Sequence, residues 1–132
     1  MIKSCGCVIF NKGKVLIIKQ INGDYGFPKG HIENCETEVD CATRETFEET
    51  GINVVVDPKY RFSVSYKVNG GFSKIAVYFI AFPKNDDIVI QEEELLDARW
   101  VDVSDVYNIL TYDNLKKMWS RVYSTYMEVY NG

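Results

Sequence analysis

The sequence predicts an α/β fold, an α/β/α sandwich around a mixed central sheet, formed as one domain over residues 1–132. Three observations carry this reading. Short β-branched and aromatic runs alternate with Gly- and Asn-containing turns. One helical segment interrupts them early. Two more helical segments close the chain. A chain of 132 residues suits one domain with one hydrophobic core, not two.

The elements follow in order. Cys5–Phe10 and Val15–Lys19 are apolar runs around Asn11-Lys12-Gly13-Lys14, a hairpin signal. Asn22-Gly23-Asp24 is a turn. Tyr25 to Gly30 holds too much Gly and Pro for a regular element and reads as loop. A helix should start at Thr37, a good N-cap with Asp40 three residues on, and stop at Gly51. Ile52–Val56 is β-branched and reads as a buried strand. Arg61–Val68 and Phe72–Phe82 flank Asn69-Gly70-Gly71, a second hairpin signal, and Pro83–Gln91 reads as polar loop. Leu95–Val101 is a short strand. Ser104 caps a short helix through Leu110. Asp113–Tyr130 is a longer helix, with Leu115, Met118, Trp119, Val122 and Tyr126 at helical spacing.

Charge narrows the function classes. The formal net charge is −4, which argues against a strongly basic nucleic-acid binder. Its placement says more. Glu33 to Glu49 holds seven acids and one base, for −6, leaving +2 for the other 115 residues. No apolar run approaches the roughly 20 residues of a membrane span. Met1–Phe10 lacks the cationic start and long apolar stretch of a signal peptide. The expectation is a cytoplasmic monomer that contacts no membrane. Cys5, Cys7, Cys35 and Cys41 are then expected as free thiols, and with the lone His31 they lack zinc-site spacing.

The acidity lies on the first helix. Val39, Ala42, Thr43, Thr46 and Phe47 should fall on one side, with Glu45, Glu48 and Glu49 opposite at i, i+3 and i+4. Like charges at this spacing cost roughly 0.2–0.5 kcal/mol per pair. Only Arg44 offsets them within the helix. A solvated face would mix signs. Three convergent carboxylates instead offer hard oxygen ligands to Mg²⁺ or Mn²⁺, which would turn repulsion into attraction.

Spacing extends the pattern beyond the helix. Five residues separate Gly30 from Glu36, and seven more lead to Arg44-Glu45-Thr46-Phe47-Glu48-Glu49-Thr50-Gly51-Ile52. This resembles the Nudix box of the MutT-like hydrolases at every Gly, Glu and Arg position. Thr46 alone departs, in a slot that is usually larger and apolar. The resemblance implies the Nudix sandwich fold and hydrolysis of a diphosphate linked to another moiety. It implies Glu45, Glu48 and Glu49 as metal ligands, and Arg44 and Glu36 as residues that orient them. Gly30 and Gly51 would be structural. Glu45 and Glu48 would also be catalytic, as would Arg44. The general base in this family is a box glutamate or one from a later loop; Glu94, six residues before Trp100, is the later candidate here, beside Glu92 and Glu93.

The flanks bear on the substrate. Pro28-Lys29-Gly30-His31, the strand Lys74-Ile-Ala-Val-Tyr78-Phe79, and Trp100 followed by Tyr112 are similar to the asymmetrical diadenosine tetraphosphate hydrolases. That resemblance implies Lys29, His31 and Lys74 on the polyphosphate, Tyr78 in the same site through its hydroxyl, and Tyr66 and Tyr112 stacked on an adenine. The products would be ATP and AMP. Two positions depart from it: Cys35, where relatives often carry Gly, and Leu95, where they often carry His. Phe27-Pro28-Lys29-Gly30 and Cys41-Ala-Thr-Arg44-Glu45 are also similar to mRNA-decapping and RNA 5′-end pyrophosphohydrolases, though no Lys/Arg-rich RNA track accompanies them. A nucleoside-triphosphate pyrophosphohydrolase is a further alternative. A diphosphoinositol polyphosphate hydrolase should carry more Lys and Arg. A non-catalytic nucleotide-binding domain would be expected to have lost a box glutamate or the Arg.

Overall fold

A computed structural model describes residues 2–67 and 70–131. The elements are β1 (Ile2–Asn11), β2 (Lys14–Gln20), β3 (Tyr25–Gly26), β4 (Lys29–His31), α1 (Glu38–Thr50), β5 (Val54–Lys67), β6 (Ser73–Pro83), β7 (Leu95–Asp102), α2 (Val103–Ile109) and α3 (Asp113–Val129). The sheet runs β3-β2-β1-β6-β5, with β4 also on β1 and β7 on β2. β1 and β6 are parallel, and the other pairs are antiparallel. The sheet is therefore mixed, and the α/β/α sandwich expected from sequence is the observed architecture.

β1 explains the two layers. Ser4 to Phe10 is buried without a break, as a strand covered on both faces must be. Its side chains alternate between two cores, not the single core that chain length suggests, because the sheet is covered on both faces. Val8 and Phe10 join Val15, Ile17, Tyr78 and Ile80 against Leu115, Met118, Trp119 and Val122 of α3. Cys5, Cys7 and Ile9 join Leu16, Ile18, Val77 and Phe79 against Cys41 and Ala42 of α1. No helix is long and apolar enough to cross a membrane among the described residues.

Several expectations change. Val54–Val56 and Arg61–Lys67, from two expected strands, belong to one strand, β5, whose register slips between Asp57 and Arg61. Pro58 lies in that slip, where its missing N–H breaks no ladder. The proposed hairpin turn falls partly at Val68 and Asn69, outside the described residues. The expected loop from Tyr25 to Gly30 forms two short strands around Phe27-Pro28, and Gly6 on the neighbouring strand lets the backbones approach. At Gly6 on β1, a Cβ would lie 2.0 Å from the Pro28 carbonyl oxygen. α2 begins at Val103, with Asp102 rather than Ser104 in the N-cap position and no side-chain cap bond. α3 ends one residue early, at Val129.

α1 keeps its expected ends. The Thr37 hydroxyl accepts the Asp40 N–H at 3.0 Å, and Gly51 closes the helix at φ 73°. Its faces differ from the expected ones. Cys41, Ala42, Thr46, Glu49 and Thr50 are buried, whereas Phe47 is 50% exposed. The helix lies too close to β1 for a phenyl ring: Cys7 Sγ reaches the Ala42 carbonyl at 3.7 Å. Small side chains fill the seam instead. Glu38 fastens the other end. It accepts Arg61 at 2.7 and 2.8 Å and Lys3 at 2.9 Å, tying α1 to β5 and β1.

Two outcomes are expected. The Arg61 hydrogen bonds, helped by Lys3, hold the Glu38 carboxyl at about 2, below its ordinary value. A depressed carboxylate pKa gives stability above the unfolded value near 4.5 that is lost as pH falls toward 2. Glu38→Gln should therefore flatten the acid limb of a stability-versus-pH curve in that window, and an unchanged slope would refute the role. Thr46 Oγ1 is buried without a hydrogen-bond partner among the described residues. Thr46→Val removes that polar atom at nearly constant shape and should raise unfolding stability by about 1 kcal/mol in urea titration; a loss would show that the hydroxyl is satisfied.

Candidate active site

The glutamates of α1 are organised by backbone from β4. The Lys29 N–H donates to Glu49 Oε1 at 2.9 Å. Gly30 passes so near the helix that a Cβ there would lie 1.4 Å from Glu45 Oε2. Only glycine leaves room for that carboxylate. Cys35, in the bend before α1, has φ 67°, the left-handed region that favours glycine.

Arg44 is the hub. It grips Glu36 through Nε at 2.5 Å and Nη2 at 3.0 Å. It reaches the His31 carbonyl at 3.1 Å, Glu45 at 3.2 Å and Glu48 at 3.2 Å. Glu36 also accepts the Glu33 N–H at 3.0 Å. The Arg44 contact, then this backbone bond, hold the Glu36 carboxyl at about 2. The bidentate fork makes Glu36 and Arg44 a fixed frame behind the other glutamates.

Glu45 and Glu49 behave oppositely. Burial, reinforced by Glu48, pushes the Glu45 carboxyl up to about 7 against the pull of Arg44. Burial pushes Glu49 up to about 8, opposed by the Lys29 amide and reinforced by Glu45 and Glu94. Glu49, one of the three carboxylates expected to converge on a cation, is only 6% exposed. The Lys29 ammonium is lowered by burial, with Glu49 opposing.

Glu94 arrives from a different element. The last carbonyls of α1 are capped by the 84–94 segment: Glu49 O accepts the Gln91 N–H at 2.9 Å, and Thr50 O accepts the Val89 N–H at 2.9 Å. Asn85 Nδ2 donates to Gly51 O at 3.1 Å. These bonds satisfy the helix end and strap the segment down. The Glu94 carbonyl then accepts the Ile21 N–H at 3.2 Å. The polar loop expected here is thus fixed to the helix it serves.

Two adjoining cavities result. One, about 400 Å³, is lined by Glu45, Glu48, Glu49, Glu94, Arg44 and His31. The other, about 550 Å³, is lined by Lys74, Tyr66, Tyr78 and Tyr112. Lys29 and Gln20 line both. Every side chain expected at the site faces this pair of cavities, apart from Glu36 behind Arg44. Gly51 sits at the helix cap instead. Sequence reading missed Gln20, Asn22, Asp24, Lys67 and Asn114, which also line the larger cavity and carry no local motif.

The carboxylates are hard oxygen donors, and the raised Glu45 and Glu49 pKa values mark charge that the protein leaves uncompensated. A divalent cation fits that need. Among the described residues, no three such side chains are already drawn into a cage. Gly30→Ala should displace Glu45 and cut turnover about 100-fold while leaving the folding midpoint close to wild type; undiminished turnover would show that the close approach is incidental.

The comparisons with known proteins agree with this architecture. The NUDIX domain model matches residues 2–124. The asymmetrical bis(5′-nucleosyl)-tetraphosphatase of Rattus norvegicus is 26% identical, over 87% of this chain and 88% of its own. The NAD-capped RNA hydrolase NudC of Chromobacterium violaceum is 33% identical over 73% of this chain, which spans 36% of its length. Among solved structures, a C. elegans Ap4A hydrolase in a binary complex has a TM-score of 0.85 at 25% identity, covering 97% of this chain and 98% of that one. With the family match spanning nearly the whole chain, and the box helix and its glycine cradle in place, this protein belongs to the NUDIX family and is a Nudix hydrolase.

Proposed function

We propose that the chain cleaves a phosphoanhydride bond in a nucleoside polyphosphate, and that its substrate is diadenosine tetraphosphate, split asymmetrically into ATP and AMP by attack of water. The observation that carries this reading is the junction at Lys29. An acidic cavity of about 400 Å³ meets there a cavity of about 550 Å³ lined by lysines and tyrosines, which gives charged phosphates one end and a base the other.

The residues take these roles in this reading. Glu45, Glu48 and Glu49 would hold Mg²⁺ or Mn²⁺, which when bound polarises phosphoryl oxygens and acidifies water. Arg44 and Glu36 keep those glutamates aligned. Glu94 takes the proton of the attacking water. Lys29 and Lys74 offset the polyphosphate charge, and His31 donates to a phosphate oxygen. Tyr78, wholly buried at the cavity wall, presents its hydroxyl to the same chain of phosphates. Tyr66 and Tyr112 flank the base. The protein works as a cytoplasmic monomer in this reading.

A second reading, hydrolysis at an RNA 5′ end, is favoured by the 33% identity to NudC, a protein named for NAD-capped RNA. A metal-supplemented panel separates the two. Diadenosine tetraphosphate should yield ATP and AMP; two ADP molecules, or preferential attack on capped or triphosphorylated RNA, would overturn the first reading. Glu48→Gln should lower turnover by about 100-fold or more without loss of fold, and surviving turnover would refute the ligand assignment.

A further inference from the structure

The outer wall of the larger cavity uses residues that the catalytic segment leaves unused. The turn between β2 and β3 meets the segment between α2 and α3 there. The Tyr25 N–H donates to Thr111 Oγ1 at 2.8 Å, and the Thr111 N–H returns to the Tyr25 carbonyl at 3.3 Å. Beside them the Tyr112 hydroxyl donates to the Asp24 carboxylate, across 88 positions of sequence. Asp24 is itself fixed, since its N–H donates to Asn22 Oδ1 at 3.0 Å and its carbonyl accepts the Gln20 N–H at 2.8 Å.

These bonds lie at exposed positions and add little to the core. Their consequence is geometric. Tyr112 is 51% exposed, and an aromatic side chain so open would ordinarily sample several rotamers. The Asp24 bond selects one and sets the ring in the cavity lining with Tyr66. Contact with Asp24 also pushes the Tyr112 hydroxyl upward in pKa, so it stays a donor. Among the described residues Asp24 is the one carboxylate in that lining, where Lys29, Lys67 and Lys74 are the cations.

We propose that Asp24 is a positioning and specificity-determining residue: it holds Tyr112 as a rigid aromatic wall, and its charge makes this end of the cleft admit an uncharged base and turn away a phosphate. The inference rests on the nucleotide reading above. Pre-organising the ring removes the ordering cost of binding. The carboxylate beside it repels a second phosphate terminus and so fixes which way a long substrate lies.

The test uses the full chain, diadenosine tetraphosphate as substrate and inorganic tripolyphosphate as a base-free competitor. Asp24→Ala should raise KM about 3- to 10-fold, the value of one lost hydrogen bond, with a much smaller change in kcat. Tyr112→Phe should match it, and the double variant should be no worse than the poorer single one. Asp24→Asn keeps an acceptor and should restore most of the KM. Lacking the charge, it should be inhibited more strongly by tripolyphosphate. A merely structural role would instead lower kcat and thermal midpoint together in all of them. Unchanged KM in Asp24→Ala, additive effects in the double variant, or unchanged tripolyphosphate inhibition in Asp24→Asn would overturn the proposal while wild-type turnover left the nucleotide reading intact. A wild type that does not hydrolyse diadenosine tetraphosphate would overturn both.

Discussion

The approach of the β4 backbone to the carboxylate side of α1 governs the rest of the site. Gly30 leaves no room for any side chain beside Glu45, and the Lys29 amide is bonded to Glu49. Two acidic groups are thereby taken from water onto a helix that also packs on the sheet. Such burial is costly for a charged form unless something compensates. Hydrogen bonds from the backbone offset part of it. The raised pKa values of Glu45 and Glu49 are the remainder. A region of stored electrostatic cost, open to a cleft, is where a cation is best accommodated.

Arg44 limits that cost. A lone guanidinium among Glu33, Glu36, Glu45 and Glu48 would satisfy none of them fully if it moved between them. Its bidentate grip on Glu36 fixes its plane, and the weaker contacts to Glu45 and Glu48 then have defined directions. One carboxylate is held deeply ionised and serves as an anchor. The others are steered without being neutralised, which leaves their oxygens available. Division of labour between an anchored and an available carboxylate follows from the planar fork and would not follow from a lysine.

Distant segments complete the cleft through backbone bonds. The 84–94 segment caps the end of α1 and so brings Glu94 to the same cavity as the helix glutamates. Ile21 joins the β2–β3 turn to Glu94, and Asp24 and Tyr25 join the same turn to Tyr112 and Thr111. The acidic and aromatic ends of the cleft are therefore held by one short turn. Loops satisfied in this way can carry functional groups with the accuracy of regular elements.

The sequence by itself determined whatever depends on neighbours a few residues apart. Thr37 and Gly51 delimit α1 because capping is local. Short apolar runs bounded by turn signals mark β1 and β2 as strands, whereas their division of the interior into two cores shows only in the tertiary structure. The spacing from Gly30 to Gly51 carries the box, and with it the glutamates. Only the tertiary structure decided which of those glutamates would be buried and that Phe47 would face outward, since a 3.6-residue period names a stripe but not the side chain size the sheet beneath will accept. It also decided that two expected strands are one bulged β5, and that a Gly- and Pro-rich stretch pairs as β3 and β4. Asp24 shows in the sequence only as part of a turn, and neither it nor Asn114 is marked there as part of the cleft. Their partners lie far along the chain, and a hydrogen bond or a desolvation cost is set by what stands within a few ångströms in space, whatever the separation in sequence.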